Sequence, residues 1–121
     1  MFTVVNGLPE DILGILISGK TTKEDYDQLN PLLEKHKMEH GTIKFYVEID
    51  ELQYTAKAMW EDFKDGLHYW RDIKFVALVT DKGWLEKTME VFGAIIPGMK
   101  VKGFDLNERQ EALNWLKTQK E

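Results

Sequence analysis

Cysteine is absent from the 121 residues, and that zero removes disulfides, thiolate metal sites and cysteine nucleophiles. Serine is nearly absent: Ser18 stands alone, no Gly-x-Ser-x-Gly occurs, and no histidine lies near it in the sequence, so serine hydrolysis has no candidate nucleophile. Three prolines, with no Gly/Ser-rich linker, repeat or low-complexity stretch, give no sign of a boundary, and residues 1–121 are expected to form a single domain. Long apolar runs are missing as well. Ile12 to Ile17 and Phe75 to Val79 fall far short of the roughly 20 residues a membrane helix needs. The start, MFTVV, has no basic region or cleavage site, so the expectation is a cytoplasmic protein without an integral membrane segment. Positive charge is in deficit, 16 Lys and Arg against 21 Asp and Glu, which argues against nucleic acid as a partner.

What is present is the composition of an ordinary globular chain, 43% hydrophobic, 12% aromatic and 31% charged. Phe2 to Val5 reads as a short strand ended by NGLPED, and Ile12 to Ile17 as a strand buried on both faces. Thr22 with Asp25 three residues later forms a capping box that opens a helix to about His40, ended by Gly41. Its inward face holds Tyr26, Leu29 and Leu33, and Pro31 is expected to kink it or to restart it with Asn30 as a new cap. Ile43 to Ile49 alternates, with Lys44, Tyr46 and Glu48 on a wetter face. Ala56 to Trp70 has helical spacing with a weak point at Gly66, and Ile73 to Val79 is a second central strand.

Asp81 is placed to cap a third helix whose wide apolar stripe ends at Pro97 and Gly98. Met99 to Phe104, alternating with Lys100 and Lys102, suits an edge strand. Asn107 is placed to cap a last helix, with Ala112, Leu113 and Leu116 inward and Trp115 on the flank. Strands alternating with helices after an initial hairpin-like pair predict an α/β domain with a mostly parallel sheet and right-handed crossovers.

Two motifs look chemical. Gly14 to Thr21, GILISGKT, matches the phosphate-loop pattern letter for letter. The residues between its glycines are β-branched and apolar where a phosphate cradle needs curled backbone, so nucleotide binding stands as a remote alternative. His36 to His40, HKMEH, places two imidazoles on one helical face, but a zinc enzyme also needs a third ligand and an open cleft, and no metal or cofactor is expected. Carboxylate pairs such as Glu61 with Asp62 fit a solvated acidic face.

The segments FVALVTDKGW (Phe75 to Trp84), VKGFD (Val101 to Asp105), EALNWL (Glu111 to Leu116) and EDYDQLNPLLEKHKMEHGTIKFYVEID (Glu24 to Asp50) together resemble the SpoIIAA-like family of small bacterial STAS-type proteins. The resemblance covers nearly the whole chain and rests on packing residues rather than catalytic signatures. It implies a mixed five-stranded sheet, ordered 1-3-2-4-5, flanked by four helices. It also implies kinship with the STAS/SEC14 group and the lipid-binding CRAL-TRIO fold. In anti-sigma-factor antagonists of that superfamily a phosphorylatable serine begins the second helix, where added charge controls partner docking. The matching stretch here, Asp50 to Ala56, has no serine, and Thr55 is the nearest hydroxyl and the candidate phosphosite.

These features favour a non-catalytic regulatory or interaction domain over an enzyme. Residues 48 to 65 hold six acids and two lysines, net −4, and Asp50, Glu51, Glu61, Asp62 and Asp65 form a candidate face for a basic partner. The alternative is a carrier of a lipid-like ligand. Met59, Trp60, Phe63 and Leu67 on the second helix and Trp84, Leu85, Met89, Phe92 and Ile96 on the third exceed what one sheet face needs. A thick core with a homodimer interface would cover the same surplus, and a homodimer is the expected assembly.

Overall fold

Ile12 to Ile17 and Ile73 to Val79 form strands over the spans their apolar runs predict, because nearly continuous apolar residues rich in Ile and Val suit a sheet interior covered on both faces. The structure, a computed structural model, describes residues 1–50, 56–68, 70–81 and 98–119, except for the side chains of 56, 57, 59 and 60. Five strands, β1 (Phe2–Val4), β2 (Ile12–Ile17), β3 (Ile43–Ile49), β4 (Ile73–Val79) and β5 (Lys100–Phe104), lie in the order β1-β2-β3-β4-β5. β1 is antiparallel to β2, and every later pair is parallel, so the sheet is mixed.

That order corrects the expected 1-3-2-4-5. The connection over residues 5–11 is short, with Val5 N–H donating to Gly14 O at 2.9 Å and Ile12 N–H to Pro9 O at 3.0 Å. It returns β1 onto one edge of β2 and leaves the other edge to β3. β5 sits at the far edge, as its lysine alternation predicts.

Three α-helices occur among the described residues: α1 (Lys23–His40), α2 (Ala56–Gly66) and α3 (Arg109–Thr118). The expected helix from Asp81 to Ile96 lies outside them. β2 to β3 and β3 to β4 each step one strand in the same direction, so right-handed crossovers put α1 and α2 on one face. The packing agrees. Tyr26, Leu29 and Leu33 of α1 and Phe63 and Leu67 of α2 share a cluster with Ile15, Ile17, Phe45, Val47 and Leu78 of the sheet. α3 follows the last strand and closes the opposite face, where Ala112 and Leu116 meet Tyr46, Phe75, Ala77, Val79 and Phe104.

Local details depart from the spacing in three places. α1 runs unbroken through Pro31, and Asn30 is no cap because its side chain is used elsewhere. α2 stops at Gly66 rather than Trp70, and Trp70–Asp72 forms a separate 3-10 turn. Asn107 caps no helix: Asp105 caps the 3-10 turn before α3, its Oδ1 accepting from Leu106 N–H at 2.7 Å while Glu108 Oε1 accepts from Asp105 N–H at 2.9 Å, and α3 itself starts after Glu108 without a side-chain cap. A 3-10 turn, Leu106–Glu108, leads into α3.

Candidate functional site

The capping box predicted at Thr22 is present and fixes where α1 begins. Asp25 Oδ2 accepts from Thr22 N–H at 2.8 Å and from the Thr22 hydroxyl at 3.1 Å. Its other oxygen, Oδ1, reaches 23 residues back to accept from Phe2 N–H at 3.0 Å, which ties β1 to the start of α1. Burial by itself pushes the Asp25 carboxyl up, but the N–H groups of Phe2 and Thr22 and the Thr22 hydroxyl outweigh it and hold the group below the ordinary aspartate range.

One turn on, α1 meets the end of α2. Tyr26 stacks edge-on between Phe2, at a centroid distance of 5.2 Å, and Phe63, at 6.3 Å. The ring lies so close to Gly66 that a Cβ there would stand 2.5 Å from Tyr26 Cγ, so glycine is required by the approach of the two helices. Asn30, buried on α1, then clamps the helix end: its Nδ2 donates to Gly66 O at 2.9 Å, and its Oδ1 accepts from His68 N–H at 2.9 Å. Gly66 O is one of the carbonyls that a helix C-terminus leaves without an intrahelical partner, and His68 N–H belongs to the chain just beyond it.

Above this joint lies an open groove of about 400 Å³. One wall is Thr21, Thr22, Lys23, Tyr26, Asp27 and Asn30, and the other is Asp62, Asp65, Gly66 and His68. Asp27, Asp62 and Asp65 are all exposed, so among the described residues that line the groove three carboxylates from two helices face one ammonium, that of Lys23. The groove is acidic and its floor is fixed.

A second polar group lies across the sheet on the α3 face. Arg109 grips Glu48 with a fork, Nε to Oε1 at 2.7 Å and Nη2 to Oε2 at 3.2 Å, while the Tyr46 hydroxyl donates to Oε1 at 2.8 Å. The Arg109 hydrogen bond, aided by that of Tyr46, outweighs burial and holds the Glu48 carboxyl below its usual range. Burial, and then the Glu48 carboxylate, push the Tyr46 phenol far up, so it stays a neutral donor. This arrangement pins α3 to the middle strand. Tyr46 is itself buried, so the face read from the sequence as wet is wet only at Lys44 and Glu48, which are half-buried.

The candidate residues divide as follows. Asp62 and Asp65 line the groove, Glu61 is exposed beside them on α2, and Asp50 is exposed at the end of β3. Glu48, part of the same acidic run, does not join them, because alternation along β3 turns it to the α3 face. Phe63 and Leu67 are core residues at 4% and 2% exposure, so neither offers surface to a ligand. Glu51, Thr55, Trp84, Leu85, Met89, Phe92 and Ile96, and the side chains of Met59 and Trp60, lie outside the described residues. Asp27 is the residue that sequence reading missed. Its signal was its place next to inward Tyr26, on the outer side of a helix whose partner was not yet known.

GILISGKT forms no phosphate cradle. Gly14 to Ile17 are β2 itself, Ile15 and Ile17 are fully buried, and Gly14 lies beneath Leu8. Gly19 is the turn, with φ of 68°. In HKMEH the His36 and His40 rings do lie together, centroids 5.6 Å apart, and among the described residues no cluster of three or more His, Cys, Asp or Glu forms a metal site. No helix of the described residues is long and apolar enough to cross a membrane.

Comparison with known proteins agrees with this architecture. No curated protein matches the chain. A crystal structure at 2.25 Å of an uncharacterised DUF3478-family protein from Shewanella loihica PV-4, described as having a SpoIIAA-like fold, is 30% identical. It superposes with a TM-score of 0.63 over 96% of this chain and 92% of that one. The SpoIIAA-like family model matches residues 12–117, from the first residue of β2 to the penultimate residue of α3. By that match, which takes in four strands and the helices on both faces of the sheet, the chain belongs to the SpoIIAA-like family.

Proposed function

We propose that this chain is a non-catalytic, STAS-like interaction domain whose docking face is the groove between α1 and α2, and that its partner presents a basic segment there. The observation that carries the reading is the convergence of Asp27, Asp62 and Asp65 on one groove of about 400 Å³. Opposite charges across an interface raise association rates and select partners. The floor beneath them is preformed by the Tyr26–Gly66 contact and the Asn30 clamp, so little ordering cost falls on binding.

Titration of 15N-labelled protein with a short oligolysine peptide tests this. Amide shifts are expected to concentrate on residues 21–30 and 61–68, to weaken as salt rises, and to diminish in Asp62→Lys/Asp65→Lys. Shifts spread evenly over the acidic surface, or unchanged by the double reversal, would contradict the reading.

A further inference from the structure

The last turn of α1 holds two imidazoles that no structural role accounts for. His36 and His40 are one turn apart, their ring centroids 5.6 Å apart and their planes inclined by 46°. Zinc–imidazole bonds of 2.0–2.1 Å place a metal about 3.2 Å from each ring centroid, so two rings on a tetrahedral ion stand about 5.2 Å apart. A right-angle pair, as square-planar copper or nickel requires, would stand about 4.5 Å apart. The observed separation lies beside the tetrahedral value. One-turn spacing on a helix brings the two rings to this distance, within reach of a shared ion.

Charges of both signs surround the pair, and burial is the largest influence on His36, holding its imidazole below the ordinary range. His36 Nδ1 is closed off from solvent and has no hydrogen-bond partner among the described residues, so the nitrogen left to meet an ion from solution is Nε2. Glu39 sits on the same turn with Oε2 3.8 Å from His40 Nε2, and Asp11 acts electrostatically on His36 from the β1–β2 connection. Lys35 lies 4.0 Å from Glu39, and Lys37 is engaged with Asp72 at 3.3 Å.

We propose that His36 and His40 form a two-imidazole chelate for Zn²⁺ at the end of α1, with water completing the coordination. Two protein ligands, one without a hydrogen-bonded partner behind it, make an exchangeable site rather than a structural one. The site is far from tight, and it stands independently of the groove.

The test uses untagged, chelator-stripped protein titrated with ZnCl₂ against a competing zinc indicator, with imidazole proton resonances followed in parallel. One equivalent is expected to bind, shifting the His36 and His40 resonances together and leaving those of His68 in place. His40→Ala and His36→Gln are each expected to weaken binding at least tenfold, and His68→Ala to leave it unchanged. His40 is exposed, so its alanine variant keeps the fold, which circular dichroism checks. Absence of one-equivalent binding in the native protein, or His40→Ala and His36→Gln binding zinc as tightly as the native protein, overturns the proposal.

Discussion

Asp25→Ala is expected to lower stability by about 3 kcal/mol, because one carboxylate serves several donors at once. Its loss leaves the buried Phe2 N–H without its acceptor and removes half of the capping box at Thr22. A buried unsatisfied donor costs ~1–3 kcal/mol and a lost cap ~1 kcal/mol. Urea unfolding at neutral pH checks the magnitude. The pH dependence checks the mechanism. The folded carboxyl lies below its unfolded value, so its contribution is present above the ordinary aspartate range of about 4 and is lost as pH falls through the lower folded value. The gap between wild type and variant should therefore be full at pH 7 and narrow as the solution is acidified below about pH 4. A gap under about 1 kcal/mol, or one unchanged by acid, would show that Asp25 does not join β1 to α1 in this way.

Gly66→Ala is expected to cost about 2 kcal/mol, although alanine ordinarily favours a helix over glycine by ~1 kcal/mol. The new methyl would stand 2.5 to 2.6 Å from Cγ, Cδ1 and Cδ2 of Tyr26. Those atoms lie at the root of the ring, and Phe2 and Phe63 flank it, so no simple rotation relieves the clash. Overpacking of this kind costs ~1–3 kcal/mol, and at the last residue of α2 little of the propensity gain is realised to offset it. The helices must part, and the groove between Asp27 and Asp62 must change shape with them. Tyr26→Leu in the Gly66→Ala background should cost less than the two single changes added together, the signature of residues in contact. Strict additivity, or a stabilising Gly66→Ala, would contradict the packing described.

The elements themselves were legible because their signals are local. Apolar runs marked β2 and β4 over their full spans, and Thr22 with Asp25 marked the start of α1. Other features depend on what meets across the fold. α2 ends at Gly66, and what requires glycine at that position is a tyrosine 40 residues earlier in the chain. Asn30 resembles a cap for a helix restarted at Pro31, yet its amide closes the end of a different helix. The strand order turns on which edge of β2 the short 5–11 connection reaches, and the order implied by resemblance did not contain that information. The acidic face was half legible. Asp62 and Asp65 follow from the charge run, but β3 carries Glu48 to the opposite face, and Asp27 enters only through the meeting of α1 with α2.

The central claim, that partner contact runs through the α1–α2 groove, is tested most directly by photo-cross-linking in cells. A photoreactive residue at Asp62 is compared with one at exposed Glu111 on α3. The expected result is a discrete heterologous adduct from the groove position, with the cross-link mapped to a Lys- or Arg-rich segment, lost when Asp27 and Asp65 are replaced by Lys, and absent from the Glu111 position. Equal adducts from both positions, or a groove adduct indifferent to the charge reversal, would contradict the account.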